Sequence, residues 1–231
     1  MKRAILLIFA HPDDESFGTA GTVARYTRCG VPIDLVCATR GERGMRLGVP
    51  DNVDTGTARE AELRAAAAIT GIRNIHFLGY GDSELDKADT GEITAKVLSV
   101  MRKLQPEVVI TFGPDGITGH PDHIAIGRAA SRAFEIVHRE GGSRKLYYVT
   151  LPETDISEEG ETTRSDDRVI VTIDISEYLD VKIQAVAAHK SQPDAIEFVE
   201  MLKQSKDSGL PTREFFHLVN PRDIPQEDTL F

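Results

Sequence analysis

The chain has 231 residues, 40% of them hydrophobic and 28% charged, and a net charge of -10. That balance excludes a disordered chain, which would be poorer in apolar residues, and an integral membrane protein, which would be richer. An acidic chain repels phosphate backbones, so no nucleic-acid partner is expected.

Cys29 and Cys37 are the only cysteines and make no disulfide framework, which points to a reducing, cytoplasmic setting. The N-terminus MKRAILLIFAHPDDE passes from a short apolar run straight into His, Pro and acids, without a small-residue cleavage site. It reads as a buried first strand rather than a signal peptide. No apolar run approaches the roughly 20 residues that cross a bilayer, so no membrane span is expected.

In chain order, Ala4–Ala10 is apolar without alternation, as in a central strand covered on both faces. Thr19–Cys29 reads as a helix stopped by Gly30, and Pro32–Thr39 as a second strand. Arg40–Asp54 is a long loop with three arginines and Glu42, which either closes over a substrate or is a mobile surface loop. Thr57–Thr70 is helical and ends at Gly71 like a C-cap. Asn74–Leu78 is a short strand, Thr90–Leu104 a helix, Glu107–Phe112 a strand and His123–Arg139 a helix. Lys145–Leu151 and Arg168–Ile173 are further strands, separated by an acidic polar loop over Thr154–Asp167. Ser176–Ala188 and Ala195–Lys206 read as helices, and the chain after Pro211 as irregular. Strands alternating with helices predict a single α/β domain over residues 1–231. The expected architecture is Rossmann-like, a mostly parallel sheet of order 3-2-1-4-5 with helices on both faces.

Two clusters carry chemistry. His11-Pro12-Asp13-Asp14-Glu15 follows the first strand, and His120-Pro121-Asp122-His123 follows the fourth. In the expected strand order, strands one and four flank the switch point where open α/β sheets bind ligands, so the clusters meet. The acids can merely cap helix N-termini. The histidines resist that explanation, because capping needs no imidazole. Imidazole and carboxylate together suit Zn(II) or Fe(II), and three protein ligands leave a position open for a water made nucleophilic near neutral pH. Further carboxylates and a histidine remain for acid–base work. Competing chemistries lack their signatures: there is no G-x-S-x-G elbow, no Walker A loop and no G-x-G-x-x-G.

At these residues the chain resembles the LmbE-like (PIG-L) family of metal-dependent N-acetylglucosaminyl deacetylases. The matches are AHPDDE at Ala10–Glu15, TRGERG at Thr39–Gly44, AREAEL at Ala58–Leu63, GDSEL at Gly81–Leu85, GHPDH at Gly119–His123 and HKSQ at His189–Gln192. The resemblance implies His11, Asp14 and His123 as metal ligands, with zinc or Fe(II) as the metal. It implies Asp13 as the general base that activates water. His120 would stabilise the oxyanion and be able to protonate the departing amine, oriented by Asp122. Arg59, Glu42 and Asp82 match positions that face the sugar. Thr118 stands where some members carry a tyrosine that assists the oxyanion.

The implied reaction is hydrolysis of the N-acetyl group of an amino-sugar conjugate. The alternatives are a hydrolase of another N-acyl or amide conjugate, or a sugar-binding protein that has lost catalysis. Asp13 and His120 favour the enzyme, since a non-catalytic descendant can dispense with both. A homo-oligomer is also expected. The resemblance suggests it, and Leu210, Phe215, Phe216, Leu218 and Phe231, if exposed, form an apolar patch; they can equally pack onto their own domain.

Of the remaining histidines, His76 reads as a satisfied core residue and His138 as solvated on a helix surface. His189 either serves the site at one remove or simply suits a helix C-terminus. His217 has no reading. Arg59, without the resemblance, is a helix-surface charge paired with Glu62.

Overall fold

A computed structural model describes residues 3–151, 169–208, 212–219 and 229–231. The strands are β1 (Ile5–Phe9), β2 (Ile33–Cys37), β3 (Asn74–Phe77), β4 (Val108–Phe112), β5 (Lys145–Thr150), β6 (Val169–Asp174) and β7 (Arg213–Leu218). The helices are α1 (Asp14–Arg28), α2 (Thr55–Thr70), α3 (Thr90–Leu104), α4 (Pro121–Arg139), α5 (Leu179–Ala188) and α6 (Pro193–Ser208). The sheet runs β3-β2-β1-β4-β5-β7-β6. Its first five strands are parallel and take the order expected from the sequence. Every residue of β1, β2 and β4 is buried, which is why these segments are apolar without alternation.

Right-handed crossovers move outward from β1 through α1 and α2. They then return past β1 through α3 and α4, and the reversal puts the two helix pairs on opposite faces. The helices sort accordingly, α3 against α4, and α1 and α2 against α5. The reversal opens a crevice beyond the C-terminal ends of β1 and β4.

Beyond β5 the sheet departs from expectation. The segment read as irregular after Pro211 contains β7, which inserts between β5 and β6 and is antiparallel to both. Its alternation is genuine: Glu214, Phe216 and Leu218 are buried, while Phe215 and His217 are half-buried. A buried acid in an apolar register hid the period. Glu214 is neutralised by Lys182, whose Nζ donates to its Oε1 at 2.7 Å, and also accepts the backbone N–H groups of Gly21 and Thr22.

The C-terminal apolar residues that suggested an oligomer are largely accounted for within the chain. Phe216 and Leu218 are core residues, Phe215 is half-buried, and Phe231 packs edge-on against Tyr26 at 5.5 Å. Leu210 and the Thr154–Asp167 loop lie outside the described residues. No described helix is long and apolar enough to cross a membrane.

Candidate active site

Both motifs lie where the sheet topology predicts, but each starts its helix earlier than expected. α1 begins at Asp14 and α4 at Pro121, the favoured first-turn position for proline. Helix N-termini therefore aim at the crevice, and the chemistry-bearing residues form the turns that enter them.

Asp13 caps nothing with its side chain. It occupies the N-cap position of α1 at φ 114°, ψ -30°, a conformation that costs a non-glycine residue about 1–3 kcal/mol. This turn leaves its carboxylate facing the cavity. There Oδ2 accepts from Arg59 Nη2 at 2.8 Å. Arg59 is buried rather than a surface charge, and it also donates to the carbonyls of Pro12 and Gly41. Glu62 does not pair with it; its carboxylate accepts from Ser191 N and Oγ.

His11, Asp14 and His123 come together. Asp14 Oδ2 accepts the backbone N–H of His11 at 2.8 Å, holding the carboxylate beside the ring. His11 Nδ1 is 3.8 Å from Asp14 Oδ2 and 3.3 Å from His123 Nε2, and His123 Nε2 is 3.3 Å from Asp14 Oδ1.

The other nitrogen of each ring fixes its role. His123 Nδ1 donates to the Gly116 carbonyl at 3.1 Å, and Phe112 stacks on the ring at 4.1 Å. His11 Nε2 donates to Asp122 Oδ2 and Asp82 Oδ1, each at 3.2 Å. With His11 Nε2 and His123 Nδ1 donating elsewhere, the facing atoms His11 Nδ1 and His123 Nε2 are the ones left to share a cation, a proton or a metal ion. Two ligands bound tetrahedrally at zinc–nitrogen distances lie about 3.3 Å apart, so the donor set fits a divalent metal.

Two further groups have ligand atoms within 4.8 Å of one another, His11 with His120 and His123, and His11 with Asp82 and Asp122. In the acid pair the oxygens are already engaged. Asp122 accepts the N–H groups of Ser83 and Leu85, and Asp82 Oδ2 accepts that of Arg43. The two acids therefore support His11 from behind, as carboxylates behind ligand histidines do.

This corrects one sequence expectation. Asp122 does not orient His120 through its carboxylate, which is spent on His11 and two backbone amides. The contact between the two residues runs from the backbone N–H of Asp122 to His120 Nδ1, 3.2 Å away. His120 is thus the N-cap of α4, so an imidazole does cap here. Accepting at Nδ1 leaves the His120 proton on Nε2.

The electrostatics follow the packing. Burial works to lower the His11 pKa, but the hydrogen bonds to Asp122 and Asp82 and the charge of Asp14 outweigh it and raise it to about 10. A proton held so firmly marks a place that favours positive charge. Burial raises the Asp13 carboxyl to about 7, against the opposing pull of Arg59 and with Asp14 adding to the rise. Burial and the neighbouring His11 and His123 rings lower His120, keeping it neutral. For Asp14, Asp82 and Asp122, burial pushes upward, but the facing histidines prevail and hold all three low.

A cavity of about 880 Å3 opens over these groups, lined by His11, Asp13, Asp14, Arg59, Asp82, His120 and His123, with Thr118 at its edge. Glu42 does not line it, contrary to expectation. Its side chain turns away to accept Asp82 N at 3.3 Å, and the neighbouring Arg43 and Gly44 form the wall instead.

The loop expected to close over substrate is tied down. Gln192 accepts the Met45 N–H at its side-chain oxygen and donates its side-chain NH2 to the Met45 carbonyl, and Leu47 N donates to Ser191 O. Gln192 also lines the cavity. Sequence reasoning assigned this residue no role, and its HKSQ match was the only signal.

His189, at the C-terminal end of α5, is fully buried, with Nε2 3.0 Å from Glu15 Oε1. His76 is not a satisfied core residue; it is half-buried on an edge strand, and its Nε2 has no hydrogen-bond partner. His138 is exposed, yet its Nδ1 donates to the Ser143 carbonyl. His217 meets Tyr148 edge-on at 5.9 Å.

Residues 6–134 match the family described as GlcNAc-PI de-N-acetylase, PIG-L. The chain belongs to the PIG-L family. A relative, the probable N-acetyl-alpha-D-glucosaminyl L-malate deacetylase 2 of Bacillus anthracis, is 33% identical over 217 residues, 93% of this chain and 92% of that one. Among solved structures, N,N'-diacetylchitobiose deacetylase from Pyrococcus horikoshii superposes with a TM-score of 0.73 at 22% identity, over 98% of this chain and 88% of that one. GalB, the 4-carboxy-2-hydroxymuconate hydratase of Pseudomonas putida KT2440, also gives 0.73 at 22% identity, over 95% and 97%. Both structures share the fold of this chain, and a fold alone does not decide the reaction.

Proposed function

We propose that the protein is a metal-dependent hydrolase that removes the N-acetyl group from an N-acetylglucosamine-type amino-sugar conjugate. His11, Asp14 and His123 would hold the metal, zinc or Fe(II). The observation that carries this reading is the pair of facing imidazole nitrogens, closed by the Asp14 carboxylate, directly beside Asp13. When bound, the metal supplies a Lewis acid that polarises the amide carbonyl and eases deprotonation of water.

The chain's own groups do the rest. Asp13, with an affinity for protons matched to neutral pH, takes one proton from the attacking water. Arg59 holds Oδ2 and so directs the carboxylate. His120 offers its Nε2–H to the oxygen that gains charge at the tetrahedral carbon. A neutral ring whose Nδ1 already accepts a hydrogen bond has one proton, needed for that contact, so it is a poor acid for the departing amine. Asp13 returns its proton to the nitrogen as the C–N bond breaks, and the proton left on the former water oxygen passes to the amine, giving acetate and an ammonium product. Arg59, Asp82, Arg43 and Gly44 face the sugar.

A cytoplasmic setting is supported by the two unpaired thiols, one of them exposed. A homo-oligomeric active form rests on the family resemblance alone.

The test is amine release from a panel of N-acetylglucosamine conjugates, including the L-malate conjugate and diacetylchitobiose, with and without added zinc. Asp13→Asn should retain the metal and lose ~10²–10⁴ in rate. Near-normal turnover in that variant refutes the assignment of the base.

A further inference from the structure

Two buried titratable residues, Glu15 and His189, lie against the site without lining its cavity. We propose that they form a positioning pair that holds Asp13 in the strained turn its chemistry requires. This rests on the reading of Asp13 as the base.

The geometry is a convergence of donors on one carboxylate. Glu15 Oε2 accepts the backbone N–H of Asp13 at 3.0 Å. Its Oε1 accepts from Ser16 Oγ at 2.6 Å and from His189 Nε2 at 3.0 Å. His189 comes from the C-terminal end of α5, 174 residues along the chain from Glu15. Its Nδ1 is buried and has no hydrogen-bond partner among the described residues. A bare acceptor there is tolerable and an unpaired N–H is not, so the proton sits on Nε2, aimed at Glu15.

A buried carboxylate–imidazole pair is weak evidence for stability, and an apolar pair of similar size would fill the space. What the carboxylate adds is an acceptor on the amide of a residue at positive φ, a conformation that persists only where its surroundings over-determine it. The same turn reaches the second partner of Asp13. Ser191 N and Oγ donate to Glu62, which stands one helical turn after Arg59 on α2. The His189–Gln192 segment thus anchors the backbone of the base through Glu15 and the helix that carries its guanidinium through Glu62.

The experiment compares Glu15→Ala, Glu15→Gln, His189→Leu and His189→Gln in the zinc-loaded protein, alone and on Asp13→Asn. Metal content, kcat and KM are measured separately. Displacing a reacting group by about 1 Å can cost 10²-fold, so Glu15→Ala and His189→Leu are expected to lower kcat roughly 10–10²-fold with KM and metal content nearly unchanged. Glu15→Gln keeps an acceptor for the Asp13 amide and His189→Gln keeps a donor, so both should recover to within a few-fold. On Asp13→Asn, Glu15→Ala should cost nothing further.

Hydrogen exchange at the Asp13 amide gives a readout that needs no turnover: it should lose protection in Glu15→Ala and keep it in Glu15→Gln. If Glu15→Ala does not fold, His189→Leu carries the same comparison. An unchanged kcat, an equal loss on the Asp13→Asn background, or unchanged exchange overturns the pair. Full activity of Asp13→Asn alone would instead overturn the assignment of the base, and the exchange data would still judge whether the turn is held.

Discussion

Arg59→Met tests the electrostatic setting of the proposed base most directly. Its Nη2 lies 2.8 Å from Asp13 Oδ2, both side chains are largely buried, and no other guanidinium or ammonium group bonds Asp13 among the described residues. Two unit charges centred about 4 Å apart interact by about 4 kcal/mol at an effective dielectric near 20, which corresponds to about three pH units. Relaxation and water entry reduce that, leaving roughly one to three.

The sign follows from the reaction. Asp13 must be ionised to take a proton, and its carboxyl is already raised to about 7. Loss of the cation raises it further, so activity falls on the acid side and recovers only at higher pH. At pH 7 the variant should lose roughly 10–10³-fold, with the acid limb of the pH–rate profile displaced upward. Arg59→Lys keeps the charge but not the fork that also binds the Pro12 and Gly41 carbonyls, so it should restore most of the limb position and only part of the rate. The assay is kcat against pH on the zinc-loaded protein, with metal content measured at each pH. An Arg59→Met variant with normal metal and an unmoved acid limb would refute the electrostatic argument.

Asp122→Asn removes the carboxylate behind His11 Nε2 and should weaken metal affinity roughly 10–100-fold, as read by competition with a chelator. Glu214→Ala leaves Lys182 buried without its partner and should destabilise by about 3–5 kcal/mol in urea unfolding, with metal content unaffected. Gly21→Ala would place a Cβ 2.6 Å from Ile175 Cδ1, where α1 meets the segment after β6, and should cost about 1–3 kcal/mol by the same measurement.

The parallel half of the sheet was legible because its strands are buried on both faces and read as apolar runs, and because crossovers have one hand. The meeting of His11 with His123 was legible for the same reason: topology alone brings the ends of β1 and β4 together. β7 was not. Its alternation is broken by Glu214, an acid whose burial makes sense only beside Lys182 from a helix far along the chain. Among the site residues, sequence pattern could mark Asp122 and Glu42 as members of motifs but could not say where their carboxylates point. Asp122 turns to His11 and to backbone amides of the Gly81–Leu85 turn, and Glu42 turns to the amide of Asp82 rather than to the cavity.

Residue type and spacing along one strand or helix therefore determine which groups are available and which element carries them. Tertiary structure alone decides which nitrogen of His11 faces His123, because that depends on Asp82 arriving from a loop and Asp122 from the first turn of α4. It also decides how Asp13 is held. Arg59, Glu15 and His189 come from three separate helices, and only their packing leaves a carboxylate in a strained turn with its proton affinity near neutral.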